Sequence, residues 1–232
     1  MVDPNPRADG AAEPVTVDEL AADLRALAAA STGPGGRAIV GLCGPPGAGK
    51  STTAFRLRDA LGTERVAVVQ LDGFHLATAV IAGTPLAARR GAVDTFDAGG
   101  FASLVERVRA NDEPVVYAPS FERDLEEPIN ASVAVRREHD AVIVEGNYLL
   151  AEGPEWARVR SCLDEVWYLH TDPRLRLPRL VQRHVASGKS PAAADEWVAG
   201  SDEVNARLIA STADRADRLL DVSALPPPHA PT

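Results

Sequence analysis

The feature that most constrains this chain is the stretch 44–51, which reads GPPGAGKS and fits the phosphate-binding pattern GxxxxGK[ST]. It directly follows the apolar run AIVGLC at 38–43. The glycines let the backbone wrap so that successive N–H groups point at phosphate oxygens, and a helix that starts after the loop adds its positive N-terminal end. A strand, this loop and a helix in that order predict a bound nucleoside triphosphate. The alternative is an ordinary glycine-rich turn.

The polar residues of the loop have specific tasks in this prediction. Lys50 would reach the β- and γ-phosphates, and Ser51 would bind Mg²⁺. Thr52 begins the following helix, whose N-terminus faces the phosphates. The loop residues that we assign to ATP binding are Gly44, Gly47, Ala48, Gly49, Lys50, Ser51 and Thr52.

Composition excludes several classes of protein. The chain has 33 acidic and 24 basic side chains and a formal charge of −9, so we expect no nucleic-acid partner. Its two cysteines, Cys43 and Cys162, form neither a disulfide framework nor a metal set. No run approaches the roughly 20 apolar residues of a membrane span, and no signal peptide pattern opens the chain. We therefore expect a cytoplasmic protein without a membrane partner.

The two ends of the chain differ from its middle. Residues 1–14 hold three prolines and little that is apolar, and the stretch 224–232 includes three consecutive prolines. Such segments cannot bury enough apolar surface to order themselves. We predict disordered tails at 1–14 and 224–232, with a single domain at 15–223, a length that one large domain can have.

Short apolar runs recur along this domain and indicate its sheet. They are continuous instead of alternating, as expected for parallel strands covered on both faces. The sequence therefore predicts a three-layer α/β fold, a mainly parallel five-stranded sheet between helices, with a further short strand as an option at 219–222. The five predicted strands are 38–43, 66–71, 115–118, 141–145 and 165–170.

Helices are predicted between these strands. Thr16 and Glu19 have the spacing of a capping box ahead of a leucine repeat, which predicts a first helix at 16–30. Phe101, Leu104, Val105 and Val108 share one face of a second predicted helix. The helices predicted after the first are 51–61, 100–110, 174–187 and 191–210.

Two acids lie where predicted strands end. Asp72 follows the second strand, and Glu145 ends the fourth, so both belong to the carboxyl edge of the sheet, where ligands bind in such folds. A kinase that acts on an alcohol needs a carboxylate to accept the hydroxyl proton, and Asp72 suits this role. Glu145 suits the Walker B role beside Mg²⁺. The alternatives are a turn cap for Asp72 and a structural role for Glu145.

Together with the phosphate loop, LDGFHL at 71–76 and VEGNY at 144–148 resemble the phosphoribulokinase and uridine kinase superfamily. The resemblance is nearest to pantothenate-kinase-like and fructose-transport-associated kinases and covers about residues 37–221. It implies a phosphate-loop NTPase fold, MgATP as donor, a small-molecule alcohol as acceptor and Asp72 as proton acceptor. Relatives often assemble as dimers or larger oligomers, so the resemblance also makes a homodimer one expected state. Further matching stretches are 89–97, 116–123 and 172–184.

Several polar residues are candidates for binding the acceptor. Arg90 and Asp94 lie in a long polar insertion after Asp72, where substrate loops belong, and the resemblance implies that 94–97 lines the pocket. It also implies that Tyr117 and Arg123 face the acceptor. A solvated charged loop and, for Arg123, a surface ion pair are the alternatives. The acceptor-site candidates are Asp72, His75, Arg90, Asp94, Tyr117, Arg123 and Asn147.

Arg176, Arg179 and Arg183 recur at spacings of three and four, which puts them on one helical face. Guanidinium groups fork onto phosphate oxygens, so we assign Arg179 and Arg183 to catalysis and Arg176 to ATP. In phosphate-loop kinases this helix belongs to a lid, which here would span about 174–200. Pro178 lies within the helix and disturbs this face. A solvated arginine face is the alternative.

A phosphate loop by itself does not distinguish a kinase from other nucleotide-binding proteins. Neither lysine follows an asparagine, so the guanine signature Asn-Lys-x-Asp is absent from the sequence. The leading prediction is transfer of the γ-phosphoryl group of MgATP to a hydroxyl of a nucleoside, sugar or pantothenate-like alcohol. The alternatives are an NTPase that drives a partner protein and a nucleotide-sensing binding protein.

Overall fold

The strands of the protein form two separate sheets. A computed structural model describes residues 12–31 and 36–225. Its strands are β1 Glu13–Pro14, β2 Ala38–Cys43, β3 Val66–Gln70, β4 Val115–Glu122, β5 Glu127–Arg136, β6 Ala141–Glu145, β7 Glu165–His170 and β8 Arg218–Asp221. Six of them form a parallel sheet in the order β1-β8-β7-β2-β6-β3, and β4 pairs with β5 in an antiparallel hairpin.

The centre of the parallel sheet positions the site. β2 lies between β6 and β7, and Leu42 of β2 pairs with Glu145 of β6. Glu145 pairs in turn with Gln70, the last residue of β3. Because parallel strands end at the same edge of a sheet, the segments that follow β2, β3 and β6 meet there. These segments carry the phosphate loop, Asp72 and Asn147.

The third predicted strand, 115–118, is not part of the parallel sheet. Val116 and Ala118 are buried whereas Tyr117 is 56% exposed, so β4 alternates and covers the core with one face only. The prediction of five strands was wrong in this respect. The sheet lacks β4 and gains β8, close to the optional strand at 219–222, and β1. The mainly parallel α/β fold is confirmed.

Helices cover both faces of this sheet. The first is capped as predicted: the Thr16 side chain accepts from the Glu19 backbone, and the Glu19 carboxylate accepts from the Thr16 N–H at 2.8 Å. The predicted helix 191–210 is divided into α7 and α8 by a π-helical turn, Val198–Asp202, and α6 continues through Pro178. The helices are α1 Val17–Ala30, α2 Lys50–Leu61, α3 Thr78–Ile81, α4 Ala98–Ala110, α5 Pro154–Ser161, α6 Pro173–Ala186, α7 Pro191–Trp197 and α8 Glu203–Ala210.

Two apolar cores lie on opposite sides of the parallel sheet. Phe101 of α4 and Trp156 of α5 pack on one side, where Tyr148 joins them. Leu24 of α1 and Leu57 of α2 pack on the other side. Neighbouring residues of a strand point to opposite faces, so each buried strand contributes to both cores. The resulting order of layers is helix, sheet, helix, as predicted.

Most residues of the two predicted tails, 1–11 and 226–232, lie outside the described residues. Glu13 and Pro14 were assigned to the first tail but pair with Leu220 and Asp221 of β8. Leu225 was assigned to the second tail and packs against the core. Within residues 12–31 and 36–225, no helix is both long and apolar enough to cross a membrane.

Candidate functional site

The phosphate loop, residues 44–49, connects β2 to α2 in a shape that only glycine allows at two positions. Gly44 and Gly47 have φ angles of +153° and +78°. A Cβ atom at Gly44 would lie 2.6 Å from the carbonyl oxygen of Leu169, and one at Gly47 would lie 2.7 Å from Cγ of Leu180. A larger residue would strain the backbone and clash at both positions. The end of β7 and helix α6 therefore hold the loop in place.

Lys50 is folded back onto this loop. Its Nζ donates to the carbonyl oxygens of Gly44 at 2.9 Å and Pro45 at 3.1 Å. Burial lowers the pKa of Lys50 below its ordinary value, while the negative charges of Glu145 and Asp72 favour the ammonium form. An ammonium ion that lies against carbonyl groups at the mouth of a phosphate loop is well placed to attract phosphate oxygens.

Glu145 is the centre of a small hydrogen-bonded group at the end of β6. Ser51 Oγ donates to its Oε1 at 2.7 Å, and Gln70 Nε2 donates to the same oxygen at 2.6 Å. Burial, together with the negative charge of Asp72, raises the pKa of Glu145 above its ordinary value. The group presents a hydroxyl and a carboxylate side by side, the kind of oxygen donor set that Mg²⁺ prefers.

Asp72 lies in a 3₁₀ turn, Leu71–Phe74, that follows β3. Its Oδ2 is 3.4 Å from Nη2 of Arg123, which comes from the hairpin turn between β4 and β5. Burial by itself would raise the pKa of Asp72, but the positive charges of His75 and Arg123 hold this pKa below its ordinary value. The carboxylate is therefore ionised at neutral pH and able to accept a proton or a hydrogen bond.

His75 is held beside Asp72 by its ring and by its backbone. Its Nδ1 lies 2.8 Å from the Asp72 carbonyl oxygen, and its ring centroid is 4.1 Å from that of Phe96 and 5.0 Å from that of Phe121. Burial lowers the pKa of His75. An imidazole between two phenyl rings forms an apolar wall with one polar edge. The site thus pairs a charged loop region with a partly aromatic region.

One cavity of about 250 Å³ joins these groups. Lys50, Ser51 and Glu145 line one end, which we call the donor end. The other end, which we call the acceptor end, is lined by most of the predicted acceptor residues, namely Asp72, His75, Arg90, Arg123 and Asn147. Arg183 reaches the cavity from α6 in the predicted lid. The negative charges of Asp72 and Glu145 favour the charged form of its guanidinium group. The fold therefore unites residues that are distant in the sequence, such as Lys50 and Arg183, which are 133 positions apart.

Nine predicted site residues are not among those that line this cavity: Gly44, Gly47, Ala48, Gly49 and Thr52 of the phosphate loop and the start of α2, and four residues outside them. Arg176 is buried below the loop, where its Nη1 donates to the Pro46 carbonyl oxygen at 3.1 Å and its Nη2 pairs with Glu203. Arg179 is half-buried on α6. Asp94 pairs with Arg89 at the surface, and Tyr117 is exposed on β4. Of the three arginines predicted on one face of α6, Arg176 packs against the loop and only Arg183 lines the cavity.

Sequence reasoning missed several residues that line the site or support it. Gln70 binds Glu145, and its signal was a single polar residue that ends an otherwise apolar strand. His184 of α6 and Trp197 of α7 line the cavity, as does Lys189 between these helices, whose Nζ lies 5.0 Å from the centroid of the Trp197 ring. Nothing in their local pattern marks them as cavity residues, because the cavity forms only when α6 and α7 pack over the loop.

Comparison with known proteins identifies relatives among kinases. The protein "ATP-dependent kinase-like protein notR'" of Aspergillus versicolor is 38% identical over 145 residues, which are 59% of this chain and 84% of that one. "Putative uridine kinase C227.14" of Schizosaccharomyces pombe is 36% identical over 160 residues, 66% of this chain and 68% of that one. No protein-family model matches the sequence.

A solved structure supports the same relationship. It is described as a "putative fructose transport system kinase" from Silicibacter sp. TM1040 and has 32% sequence identity and a TM-score of 0.77. The match covers 89% of this chain and 98% of the other chain. Both its fold and its sequence are therefore similar over nearly the whole length. The chain belongs to the phosphoribulokinase and uridine kinase superfamily of phosphate-loop kinases.

Proposed function

We propose that this protein transfers the γ-phosphoryl group of MgATP to a hydroxyl group of a small metabolite. The observation that carries this proposal is the position of the Asp72 carboxylate, which lies 3.4 Å from Arg123 and lines the same cavity as Lys50 and Ser51 of the phosphate loop. A hydrolase or a nucleotide sensor has no need for such a group at a partly aromatic acceptor end of its cavity. The names of its relatives, which include a putative uridine kinase and pantothenate kinases, also favour a small alcohol as acceptor.

The donor end would hold the triphosphate. Loop N–H groups and the N-terminus of α2 would contact the β- and γ-phosphates, and Lys50 would exchange its carbonyl partners for phosphate oxygens. Arg176 supports the loop from below and would act on the nucleotide through it. Arg183 would stabilise the charge that spreads over the phosphoryl oxygens during transfer.

Mg²⁺ fits the residues at the donor end. Ser51 would bind the ion through its hydroxyl oxygen, and Glu145 would hold a water molecule of its shell, since the two oxygens lie 2.7 Å apart. Among the described residues, no three His, Cys, Asp or Glu side chains are grouped so that they could hold a metal. The ion would therefore arrive with the nucleotide, and when bound it would neutralise charge on the phosphates.

The acceptor hydroxyl would lie between Asp72 and the γ-phosphorus. Its oxygen attacks phosphorus, the bond to the bridging oxygen of ADP breaks, and the hydroxyl proton passes to Asp72. Arg123 would keep Asp72 ionised until the acceptor binds. Nucleosides, sugars and pantothenate-like alcohols all satisfy this scheme. We also infer that residues 15–223 act as one kinase domain, with a lid at about 174–200.

The substitution Asp72→Asn tests this proposal. We expect nucleotide binding, measured by calorimetry with MgADP, to persist, while acceptor-dependent release of ADP falls by about 10²- to 10⁴-fold. Asp59→Asn, on the outer surface of α2, is the matched control. Unchanged turnover in Asp72→Asn would contradict the role of the base. Phosphate release without any acceptor would favour an NTPase, and binding without ATP consumption would favour a sensor.

A further inference from the structure

Arg90 lines the acceptor end of the cavity, but its contacts are with other parts of the protein. It belongs to the insertion that follows Asp72 and ends at α4, and its side chain is 18% exposed. Nη1 donates to Thr78 Oγ1 at 2.9 Å, and Nη2 donates to the Glu126 carbonyl oxygen at 2.6 Å. Nε has no hydrogen-bond partner within residues 12–31 and 36–225 and is shielded from solvent, so it does not face the open cavity. An arginine fork that is used in this way joins segments of the protein to one another.

Glu127, the first residue of β5, strengthens the same junction. Its two carboxylate oxygens lie 2.9 and 3.2 Å from the backbone nitrogen of Thr78, whose N–H they accept. Its Oε2 is also 3.8 Å from Nη2 of Arg90. The four residues Thr78, Arg90, Glu126 and Glu127, which we call the clasp, therefore join two parts of the insertion to the β4–β5 hairpin.

The clasp stabilises a turn whose own sequence does not favour its shape. The hairpin turn consists of residues 123–126, and its last residue, Glu126, has a φ angle of +53°. Residues other than glycine rarely adopt this left-handed conformation, and they keep it where their surroundings hold them. The hydrogen bond from Arg90 is made to the carbonyl group of this same residue. Contacts from the insertion therefore help to fix the conformation of the turn.

This turn carries Arg123, whose Nη2 lies 3.4 Å from Oδ2 of Asp72. The hairpin is also held on the other side of Arg123, where β4 packs closely on the turn that carries Asp72. A Cβ atom at Gly73 would lie only 2.5 Å from the Pro119 carbonyl oxygen. The position of Arg123 on Asp72 therefore depends on two supports, one at Pro119 and the other at the clasp.

We propose that Arg90 is a positioning residue for phosphoryl transfer. Through the clasp it holds the hairpin turn so that Arg123 contacts Asp72, and it acts on the reaction through Arg123 instead of binding the acceptor itself. Without Arg90, the Arg123 side chain, which is 46% exposed, is free to turn towards solvent, and Asp72 loses a neighbouring positive charge. The inference rests on the proposed function, in which Asp72 accepts the hydroxyl proton.

A double-mutant cycle tests the role of Arg90. kcat/KM for the acceptor that best stimulates ADP release would be measured as a function of pH for Arg90→Gln, Arg123→Gln and the variant with both changes. Each single change should move the acid limb of the profile to higher pH by about one unit, because Asp72 then keeps its proton to a higher pH. The double variant should show no further shift, because the two changes break one chain of contacts.

The other groups around Asp72 stay the same in these variants. The charged and titratable side chains that face Asp72 besides Arg123 are His75 of the same turn, Lys50 of α2, Glu145 of β6 and Arg183 of α6. Arg89→Gln is the matched control, since it removes an arginine at the neighbouring position, where the side chain pairs with Asp94 at the surface. We expect its profile to match that of the native protein.

Two results would overturn the inference. If Arg90→Gln raised the KM for the acceptor by the same factor with and without Arg123, Arg90 would bind the acceptor itself. If Arg90→Gln left the profile unchanged, the clasp would have no part in the reaction. Failure of Arg90→Gln to bind MgADP in calorimetry would indicate misfolding. Glu127→Ala, which removes the other half of the clasp, would then decide the question by the same comparison with Arg123→Gln.

Amide hydrogen exchange separates the clasp from the chemistry. Exchange in the hairpin, residues 115–136, should become faster in Arg90→Gln and Glu127→Ala but not in Arg89→Gln, whatever the acceptor is. If transfer is observed while exchange and the pH profile of Arg90→Gln are those of the native protein, only this inference is wrong. If the protein binds MgADP and no acceptor stimulates ADP release, the proposed function fails, and the inference fails with it.

Discussion

The donor end and the acceptor end of the cavity are built in opposite ways. At the donor end, one loop and the last residues of two neighbouring strands supply the groups, which hydrogen-bond to one another: Lys50 binds its own loop, and Ser51 and Gln70 bind Glu145. At the acceptor end, the turn after β3, the segment between this turn and α4, the β4–β5 hairpin and the helices α6 to α8 all supply groups. A short motif therefore determines the donor end, and the packing of distant segments determines the acceptor end.

The burial of charged side chains also differs between the donor end and the hairpin turn at the acceptor end. Lys50 is 8% and Glu145 3% exposed, whereas the Arg123 side chain is 46% exposed. Charges that are held inside the protein interact strongly with a ligand, because little water screens them. Charges on an exposed hairpin turn interact weakly and can move. The donor end is thus preorganised for phosphate, while the acceptor end depends on contacts that substrate binding can rearrange.

The largest expected effect comes from Lys50→Met, which removes the buried ammonium ion and keeps a side chain of similar length. We expect kcat/KM for phosphoryl transfer to fall by about 10²- to 10³-fold, as for the loss of one preorganised group that stabilises transition-state charge. Coupled measurement of ADP release would check this result.

The chain supplies the control for this variant, since its only other lysine is Lys189. Its ammonium lies over the Trp197 ring, a contact worth about 1 kcal/mol, so Lys189→Met should cost about fivefold at most. Equal losses in the two variants would contradict the claim that the donor end is preorganised whereas the region around Lys189 is adaptable.

An intermediate effect is expected for Glu145→Gln. The amide retains an oxygen that can accept from Ser51 and Gln70 but carries no charge, so the affinity for Mg²⁺ in the presence of ADP should fall by about 10- to 100-fold. Titration of Mg²⁺ by calorimetry would measure this change. An unaltered affinity would exclude Glu145 from the shell of the ion.

The pH dependence of this residue follows from its raised pKa. Glu145 must lose its proton to act on Mg²⁺, so Mg²⁺ affinity should rise with pH through a midpoint above the ordinary glutamate pKa. In the metal-free protein, a raised folded-state pKa means that stability is lost as pH rises through the interval between the unfolded and folded values. Glu145→Gln should therefore be more stable than the native protein at pH 7 without metal, as urea unfolding would show.

The smallest effect is expected at the acceptor end for Tyr148→Phe. This change removes the hydroxyl that donates to Gly91 and keeps the buried ring, so the free energy of unfolding should fall by about 1 kcal/mol. Amide hydrogen exchange should become faster in residues 87–96, the part of the insertion after Asp72 that surrounds Gly91. Nucleotide affinity should not change, because the ring does not contact the donor end.

Tyr168→Phe is the matched control for this variant. Tyr168 is also buried, and within the described part of the chain its hydroxyl has no hydrogen-bond partner. We expect no change of exchange in the insertion. If both variants loosened residues 87–96 equally, the contact with Gly91 would not be what orders the acceptor end.

The residues that the sequence predicts for the donor end lie together in the structure because they are close along the chain or end neighbouring strands. Asp72 and Glu145 could be identified for the same reason, since each directly follows or ends an apolar run. Arg176 and Arg183 illustrate the limit of such reasoning. Helical spacing grouped them on one face. Only the packing of α6 against the loop shows that Arg176 is buried and supports Pro46, whereas Arg183 reaches the cavity.

The hairpin is a second case that a local pattern could not resolve. Residues 115–118 are as apolar as the central strands, and their exclusion from the parallel sheet depends on pairing with Glu127–Arg136. Strand pairing is a long-range property. A run of four apolar residues fits both a buried parallel strand and one strand of a hairpin. This pairing brings Arg123 to Asp72, which no spacing in the sequence indicates.

By itself, the sequence determined the phosphate loop, the α/β class and the two acids at the strand ends, because each depends on neighbours along the chain. Only the tertiary structure decided which arginine reaches the cavity, that Gln70 supports Glu145, and that Asn205 of α8 contacts Gly91, which follows β3 in the chain. The physical reason is the range of the interactions. Backbone conformation and strand burial are encoded locally, whereas a pocket between a turn, a hairpin and a lid exists only after distant segments have packed together.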